Sequence, residues 1–501
     1  MINSDRTDPP RTPLVEPAEN PHHARRWLIL GFVGLAQLMV VLDATIVNIA
    51  LPSAQADLAF STDDRQWIVT AYALGFGALL LLGGRLGDLV GRKPMFITGL
   101  IGFAAASAAG GAAQNFEVLV TARAAQGLFA ALLAPAALSL LTVTFTHSAE
   151  RAKAFAVFGA ISGGGGAIGL LLGGALTEYL SWRWCLYVNV PIAAVAVVGG
   201  ALLLKRQPER ADDAPTLDLP GTAVIVAGLF SLVFGLAQAE TRGWSSGITL
   251  SFIGIGLLLI VVFVLIERRV ANPLLPLHVV WDRTRGGSFM TIGIVGAGFF
   301  AIFLFLTYYM SQSLGYSPVK TGVAFLPMIG GLMVASTGLS GVVAKVGPKL
   351  PVFSGLLLSA SGMVLFAQLA IDSTYAADLL PGLIVVGLGL GLSVAPSFSA
   401  ATSGVDPEHA GVASAAVSTF QQIGGSIGTA VLSAFAASAV DNYLDGRATT
   451  PLNQRLAAIE SYTTVFWWTA GLFTSGAVIC GLLIRRGPIQ VDPDAAPVVA
   501  H

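Results

Sequence analysis

Apolar runs of about 18–25 residues, long enough for a helix to cross a bilayer, recur along almost the whole chain between short polar segments. They fall near 27–50, 66–83, 94–113, 118–143, 153–177 and 184–204, then near 219–238 and 247–267. A third group lies near 288–311, 320–343, 351–371, 378–401, 410–437 and 464–484. Two polar, proline-containing stretches separate the groups: KRQPERADDAPTLDLPG at 205–221 and ERRVANPLLPLHVVWDRTRGG at 267–287. The pattern predicts an all-α integral membrane protein with fourteen spans. Its expected parts are a disordered tail at 1–24, a six-helix bundle at 25–206 and a linker with two additional helices at 207–287. A second six-helix bundle follows at 288–487, and a tail at 488–501.

Composition agrees: 54% of residues are hydrophobic and 11% charged, against about 25% charged in soluble domains. The net charge of -1 says little, because the charges are sorted by location. About twenty of the 27 Lys and Arg fall in segments on the side of the termini, which the positive-inside rule makes cytoplasmic. The polar, proline-rich start lacks the apolar core of a signal peptide, so the first span is expected to act as the anchor. No stretch is basic and aromatic enough for nucleic acid. Cys185 and Cys480 fall in opposite leaflets, too far apart for a disulfide, and read as packing residues.

Six-helix groups of equal size suggest an internal repeat, a common transporter plan. GRLGDLVGRKP at 84–94 and SGVVAKVGPKL at 340–350 occupy matching places, as do the glycine-rich GGGGAIGLLLGG at 163–174 and GGSIG at 424–428.

Asp43 is the one acidic residue that falls clearly inside a span, and Arg123 the one basic residue. At 1.5 Å per residue, Asp43 lies roughly 12 Å and Arg123 roughly 8 Å below the outer surface, so the two pair if their helices touch. A permanent structural ion pair is the plain alternative. A carboxylate shut into low dielectric beside a cation is also suited to take and release a proton when a conformational change admits water. In GRLGDLVGRKP, Gly84, Gly87 and Gly91 allow close approach and a tight turn beside Arg85, Asp88 and Arg92. Asp88 is placed to pair with Arg92 or with a helix N-terminus of the other half, as part of a cytoplasmic gate.

The G-x-G-x-x-G from Gly164 to Gly169 follows no strand and is no dinucleotide site. With Gly165, Gly169 and Gly173 it reads as a bending or packing face of the fifth span. No phosphate loop occurs. Gln37, Asn48, Tyr72, Gln126, Phe303, Tyr308, Gln421 and Gln422 are candidates to line a substrate cavity, with interhelical hydrogen bonding or interfacial anchoring as the alternative for each. His147, His278 and His409 fall in cytoplasmic loops, so no intramembrane histidine relay is expected, and the sequence shows no metal-binding cluster.

Together these motifs resemble the major facilitator superfamily, and within it the fourteen-helix drug:proton antiporter branch. LDATIVNIALP at 42–52 is similar to that branch's first-helix motif, and GRLGDLVGRK at 84–93 to the superfamily's signature after helix two. LVTARAAQGLFAA at 119–131 resembles the helix-four motif whose arginine is linked to proton coupling, and WRWCLYVNVPI at 182–192 the start of helix six. The resemblance covers about 27–487. It implies two bundles rocking about a central cavity, and a monomeric exporter of lipophilic drugs or antibiotics in a bacterial inner membrane. Such an exporter is driven by the proton gradient and needs no cofactor. One position departs: where the branch's exporters carry G-P-x-x-G-G, this chain has GLLLGG at 169–174, with Leu170 in place of the proline. That residue is what a proton-coupled importer would share. An intramembrane enzyme would need a catalytic dyad, and a channel a ring of like charges; the sequence offers neither.

Overall fold

The structure is a computed structural model, and it describes residues 23–145, 147–204, 217–270, 272–338, 345–448 and 450–487. Among the described residues, fourteen helices are long and apolar enough to cross a membrane. They are α1 Arg26–Leu58, α2 Trp67–Val90, α3 Arg92–Gly111, α4 Phe116–Thr144, α5 Glu150–Tyr179 and α6 Trp184–Leu203; then α7 Leu219–Ala239 and α8 Gly247–Glu267. The last six are α9 Arg283–Ser313, α10 Val319–Gly338, α11 Lys349–Phe366, α12 Tyr375–Ala401, α13 Ala410–Leu444 and α14 Pro451–Leu483. Each matches one expected apolar run. Polar side chains cap several of them, and α4 and α14 begin earlier than hydropathy suggests. Asn115 accepts from the Val118 N–H at 2.9 Å, Asp218 from Gly221 at 3.0 Å, and Thr450 from Asn453 at 3.2 Å. The Thr450 cap, with Pro451 at the first turn, starts α14 well before the apolar run near 464.

An even number of spans puts both ends of the bundle on one face, called here the terminal face. Arg26 at the start of α1 bonds Glu150 at the start of α5 at 2.7 Å on this face. In the first half α2 and α3 pack on α4, and α1 on α5 and α6; in the second, α9 packs on α13 and α14, and α12 on α10 and α11. Small residues make these approaches possible. A Cβ on Gly99 would lie 3.1 Å from the Leu133 backbone, and one on Gly331 3.0 Å from the Ile384 carbonyl.

The two additional helices pack on each other where Gly228 faces Gly256. α7 lies against both α2 and α13, while α8 turns Leu257, Leu258 and Val261 outward. The halves meet where α2 and α4 face α13 and where α5 faces α10 and α12. The repeat is visible in backbone conformation: Gly91 and Gly347, at matching places in the two halves, have φ of +107° and +84°. Residues 340–344 of the second copy of that turn lie outside the described residues, as do 1–22, 205–216 and 488–501 with the tails and part of the linker expected there. Cys185 and Cys480 are both buried and unpaired.

Candidate functional site

The first site is a sealed polar cluster built by the first half alone. Asp43 on α1 is fully buried, and Arg123 on α4 is 1% exposed. Arg123 Nη1 lies 2.5 Å from Asp43 Oδ2. The other carboxylate oxygen accepts from Gln126 Nε2 at 2.9 Å and from Asn189 Nδ2 at 2.8 Å. Gln126 also donates to Ser107 Oγ at 2.7 Å and accepts from Arg123 Nη1 at 2.9 Å. Arg123 Nε donates to the Ile68 carbonyl at 3.3 Å, and its guanidinium sits 4.4 Å from the centre of the Tyr72 ring. Residues of α1, α2, α3, α4 and α6 thus join in one cluster around the Asp43–Arg123 pair. A buried ion pair is tolerable only when further hydrogen bonds satisfy both ions, and these do. The backbones come close because Gly127 meets the Tyr72–Phe76 turn, where a Cβ would lie 2.8 Å from the Phe76 nitrogen.

The expected pairing of Asp43 with Arg123 is present in the fold. Two residues expected in the substrate cavity belong here instead: Gln126 is fully buried in the cluster, and Tyr72 stacks on Arg123. The reason for Gln126 is helical geometry, since a residue three positions beyond Arg123 shares its face. Asn189 and Ser107 went unread. Asn189 left a signal, an amide inside the apolar run of WRWCLYVNVPI; Ser107, set among alanines, left none.

The second site lies at the terminal face, where the halves meet. α2 runs as helix through Val90, so Gly84 and Gly87 are helical and, of the three glycines expected at the tight turn, only Gly91 makes it. Gly84 serves close approach, because a Cβ there would lie 2.6 Å from the Gly411 carbonyl of α13, while one on Gly87 would meet nothing within 4 Å. Arg85, Asp88 and Arg92 are all buried. Asp88 accepts the N–H groups of Gly411 at 2.8 Å and Val412 at 3.0 Å, in the first turn of α13, and lies 3.9 Å from Arg92. Both expected partners of Asp88 are therefore engaged together, and the helix N-terminus adds favourable positive charge. A second latch joins Arg151 of α5 to Thr402 beyond α12 at 3.0 Å. Next to this seam, burial first, and then the charges of Arg85 and His278, hold the His409 imidazole below its ordinary range, against Asp406 and Glu408.

The remaining cavity candidates separate. Gln37 of α1 donates to Ser162 of α5 at 3.1 Å. Ser162, Gln421, Phe299 and Ser397 share a small cleft between α5, α9, α12 and α13. Phe303 stacks on Phe299 with ring centres 5.9 Å apart and faces Gly166 of α5. Asn48 and Tyr308 are exposed. Gln422 turns away from the cleft, toward Gly77 of α2. On α5, Gly165, Gly169 and Gly173 face α1, where Cβ atoms would lie 2.9 Å from Val41, 3.1 Å from the Leu42 carbonyl and 2.7 Å from Ile46. Their service is close packing, and α5 continues unbroken through the expected bend. Leu170, the departure from the exporter motif, is half-buried against the core.

The model of the Major Facilitator Superfamily matches residues 33–429 of the chain. The puromycin resistance protein pur8 of Streptomyces alboniger is 47% identical over 92% of both chains. The cephamycin export protein CmcT of Amycolatopsis lactamdurans is 37% identical over 79% of this chain and 82% of its own. The tetracenomycin C resistance and export protein of Streptomyces glaucescens is 35% identical over 83% of this chain and 77% of its own. In fold, the chain is similar to the crystal structure of the human organic anion transporter MFSD10, with a TM-score of 0.61 and 16% identity over 91% of this chain and 99% of that one. Fourteen spans in the order six, two and six, and a family match over most of their length, place this multi-pass membrane protein among transporters rather than enzymes: the chain belongs to the major facilitator superfamily.

Proposed function

We propose that the protein is a proton-driven exporter of lipophilic small molecules, antibiotics among them, in a bacterial inner membrane with both termini in the cytoplasm. The observation that carries the coupling is the sealed cluster around Asp43, a single carboxylate held by Arg123, Gln126 and Asn189. Relatives named for resistance to or export of puromycin, cephamycin and tetracenomycin support the substrate class.

In this reading the terminal face, latched by Asp88 on α13 and Arg151 on Thr402, is the cytoplasmic gate in its closed state. Protonation of Asp43 from outside removes the charge that Arg123, Gln126 and Asn189 clasp, loosens α1 against α4 and α6, and lets the halves rock. Release of the proton inside resets the cluster. The cleft between the halves, lined by Ile292, Val295, Phe299, Val394 and Phe398 with Ser162, Ser397 and Gln421 as its polar groups, suits lipophilic substrates. The protein acts as a monomer, takes no cofactor and draws on the proton gradient. The test is a resistance profile of a drug-sensitive strain expressing the chain, paired with retention of a fluorescent lipophilic cation. Broadened resistance and exclusion of the dye support export. Accumulation of the dye would favour import, the reading that Leu170 alone suggests, and would overturn the proposal.

A further inference from the structure

Beside the seam at the terminal face, the loop before α13 and the short helix Leu277–Trp281 bring together His278, Asp406 and His409. One ligand atom from each lies within 4.8 Å of the other two. The imidazole rings are 6.1 Å apart at an angle of 82°, edge to face rather than stacked. We propose that these three side chains form a binding site for a divalent transition-metal ion, with zinc the best fit.

Three observations go beyond proximity. First, the two arms are held by one side chain. Arg285 donates to the His278 and Val279 carbonyls, each at 3.0 Å, and to the Gly404 carbonyl at 2.8 Å. The His409 N–H donates to the Asp406 carbonyl at 2.9 Å, which fixes the spacing of the other two ligands. A framework ordered in advance spares an ion most of the entropy of assembling its ligands. Second, His409 Nδ1 is buried and has no hydrogen-bond partner among the described residues. A buried polar atom left so asks for a partner. Third, His278 and Asp406 are exposed, so an ion can enter from water.

The donor set selects the metal. Two imidazole nitrogens and one carboxylate oxygen suit zinc and its first-row neighbours, with bonds of about 2.0–2.2 Å and a fourth position for water. Calcium and magnesium prefer oxygen ligands throughout. The ligand atoms lie within 4.8 Å of one another, so an ion would draw them in toward the roughly 3.4 Å between ligands of a tetrahedral site. Arg85 and Arg285 stand nearby and oppose a cation, while Asp406 and Glu408 favour one.

The test is zinc titration of tag-free, metal-stripped protein in detergent against a chromophoric chelator, with Co2+ as a spectroscopic stand-in. The parent should bind zinc at micromolar concentration and give the visible bands of a low-coordinate Co2+ site, unaffected by millimolar magnesium. His278→Ala and His409→Ala should each weaken binding by at least about tenfold, and Asp406→Asn should do so with the histidines intact. Replacing His22, His23 and His501 by Ala controls for the tails and should change nothing. Thermal unfolding of metal-free protein checks that each variant folds. No zinc binding by the parent, undiminished binding in the folded double variant His278→Ala/His409→Ala, or binding lost with the tail histidines would overturn the site.

Discussion

Asp88→Asn is the sharpest probe of the proposed gate, because the structure shows what the carboxylate holds. The carboxylate accepts two backbone N–H groups at 2.8 and 3.0 Å at the start of α13, with Arg92 at 3.9 Å, in a buried setting. Asparagine keeps one acceptor oxygen and turns an amide donor toward the second N–H. One charge-assisted bond, worth about 1.5–3 kcal/mol, is lost outright, and the other weakens to a neutral bond. Loss of the charge at the helix N-terminus removes up to about 1 kcal/mol more. A total near 2–4 kcal/mol disfavours the closed terminal face by roughly 30- to 1,000-fold. A closed-to-open ratio of about 99:1 would fall to between about 3:1 and 1:10. Spin labels on Val90→Cys and Glu408→Cys, both exposed, report this opening by pulsed electron resonance; native Cys185 and Cys480 are buried. The variant should gain a long-distance population and lose transport while binding ligand nearly as before. An unchanged distance distribution, or a large loss of affinity with normal turnover, would refute the gate role.

Asp43→Asn keeps the side-chain volume and should abolish export driven by an imposed pH gradient in proteoliposomes; full gradient-driven export would remove Asp43 from the coupling. Arg123→Ala strands a buried carboxylate, a loss of about 3–5 kcal/mol unless it holds a proton, so transport under a gradient should fail. Arg123→Lys keeps the charge without the planar fork and should transport partially, and equal rates for the two variants would contradict the pairing. With one carboxylate in the cluster, neutral or singly charged compounds should be exported better than dications, and efficient dication export by the parent protein would count against that limit. Gly424→Val places a Cβ in direct clash with the Gly293 carbonyl oxygen of α9, 2.6 Å from its carbonyl carbon, and should lower the unfolding temperature in detergent by the equivalent of about 1–3 kcal/mol. Gly254→Val on α8 meets nothing within 4 Å and should be neutral.

Much of this was legible in one dimension. A bilayer leaves backbone groups no partners but their own helix, so each span must announce itself as a long apolar run, and fourteen did. For the same reason Asp43 and Arg123 were conspicuous, since a charge at that depth survives only with a partner. The turn glycines at 91 and 347 showed the repeat that their positive φ values share. Other features needed the folded chain. Apolar surface facing lipid and apolar surface facing a helix look alike in sequence, so the seat of α7 between α2 and α13 could not be read from hydropathy. Nor could the sequence assign Asn189 to Asp43 or Gly411 to Asp88, or join His278 to Asp406 and His409. Those partners are separated along the chain, and small residues at helix crossings decide which distant segments touch. Periodicity and composition report the local demand of lipid on each helix; the choice among many equally apolar helix faces is made by packing, and packing exists only in three dimensions.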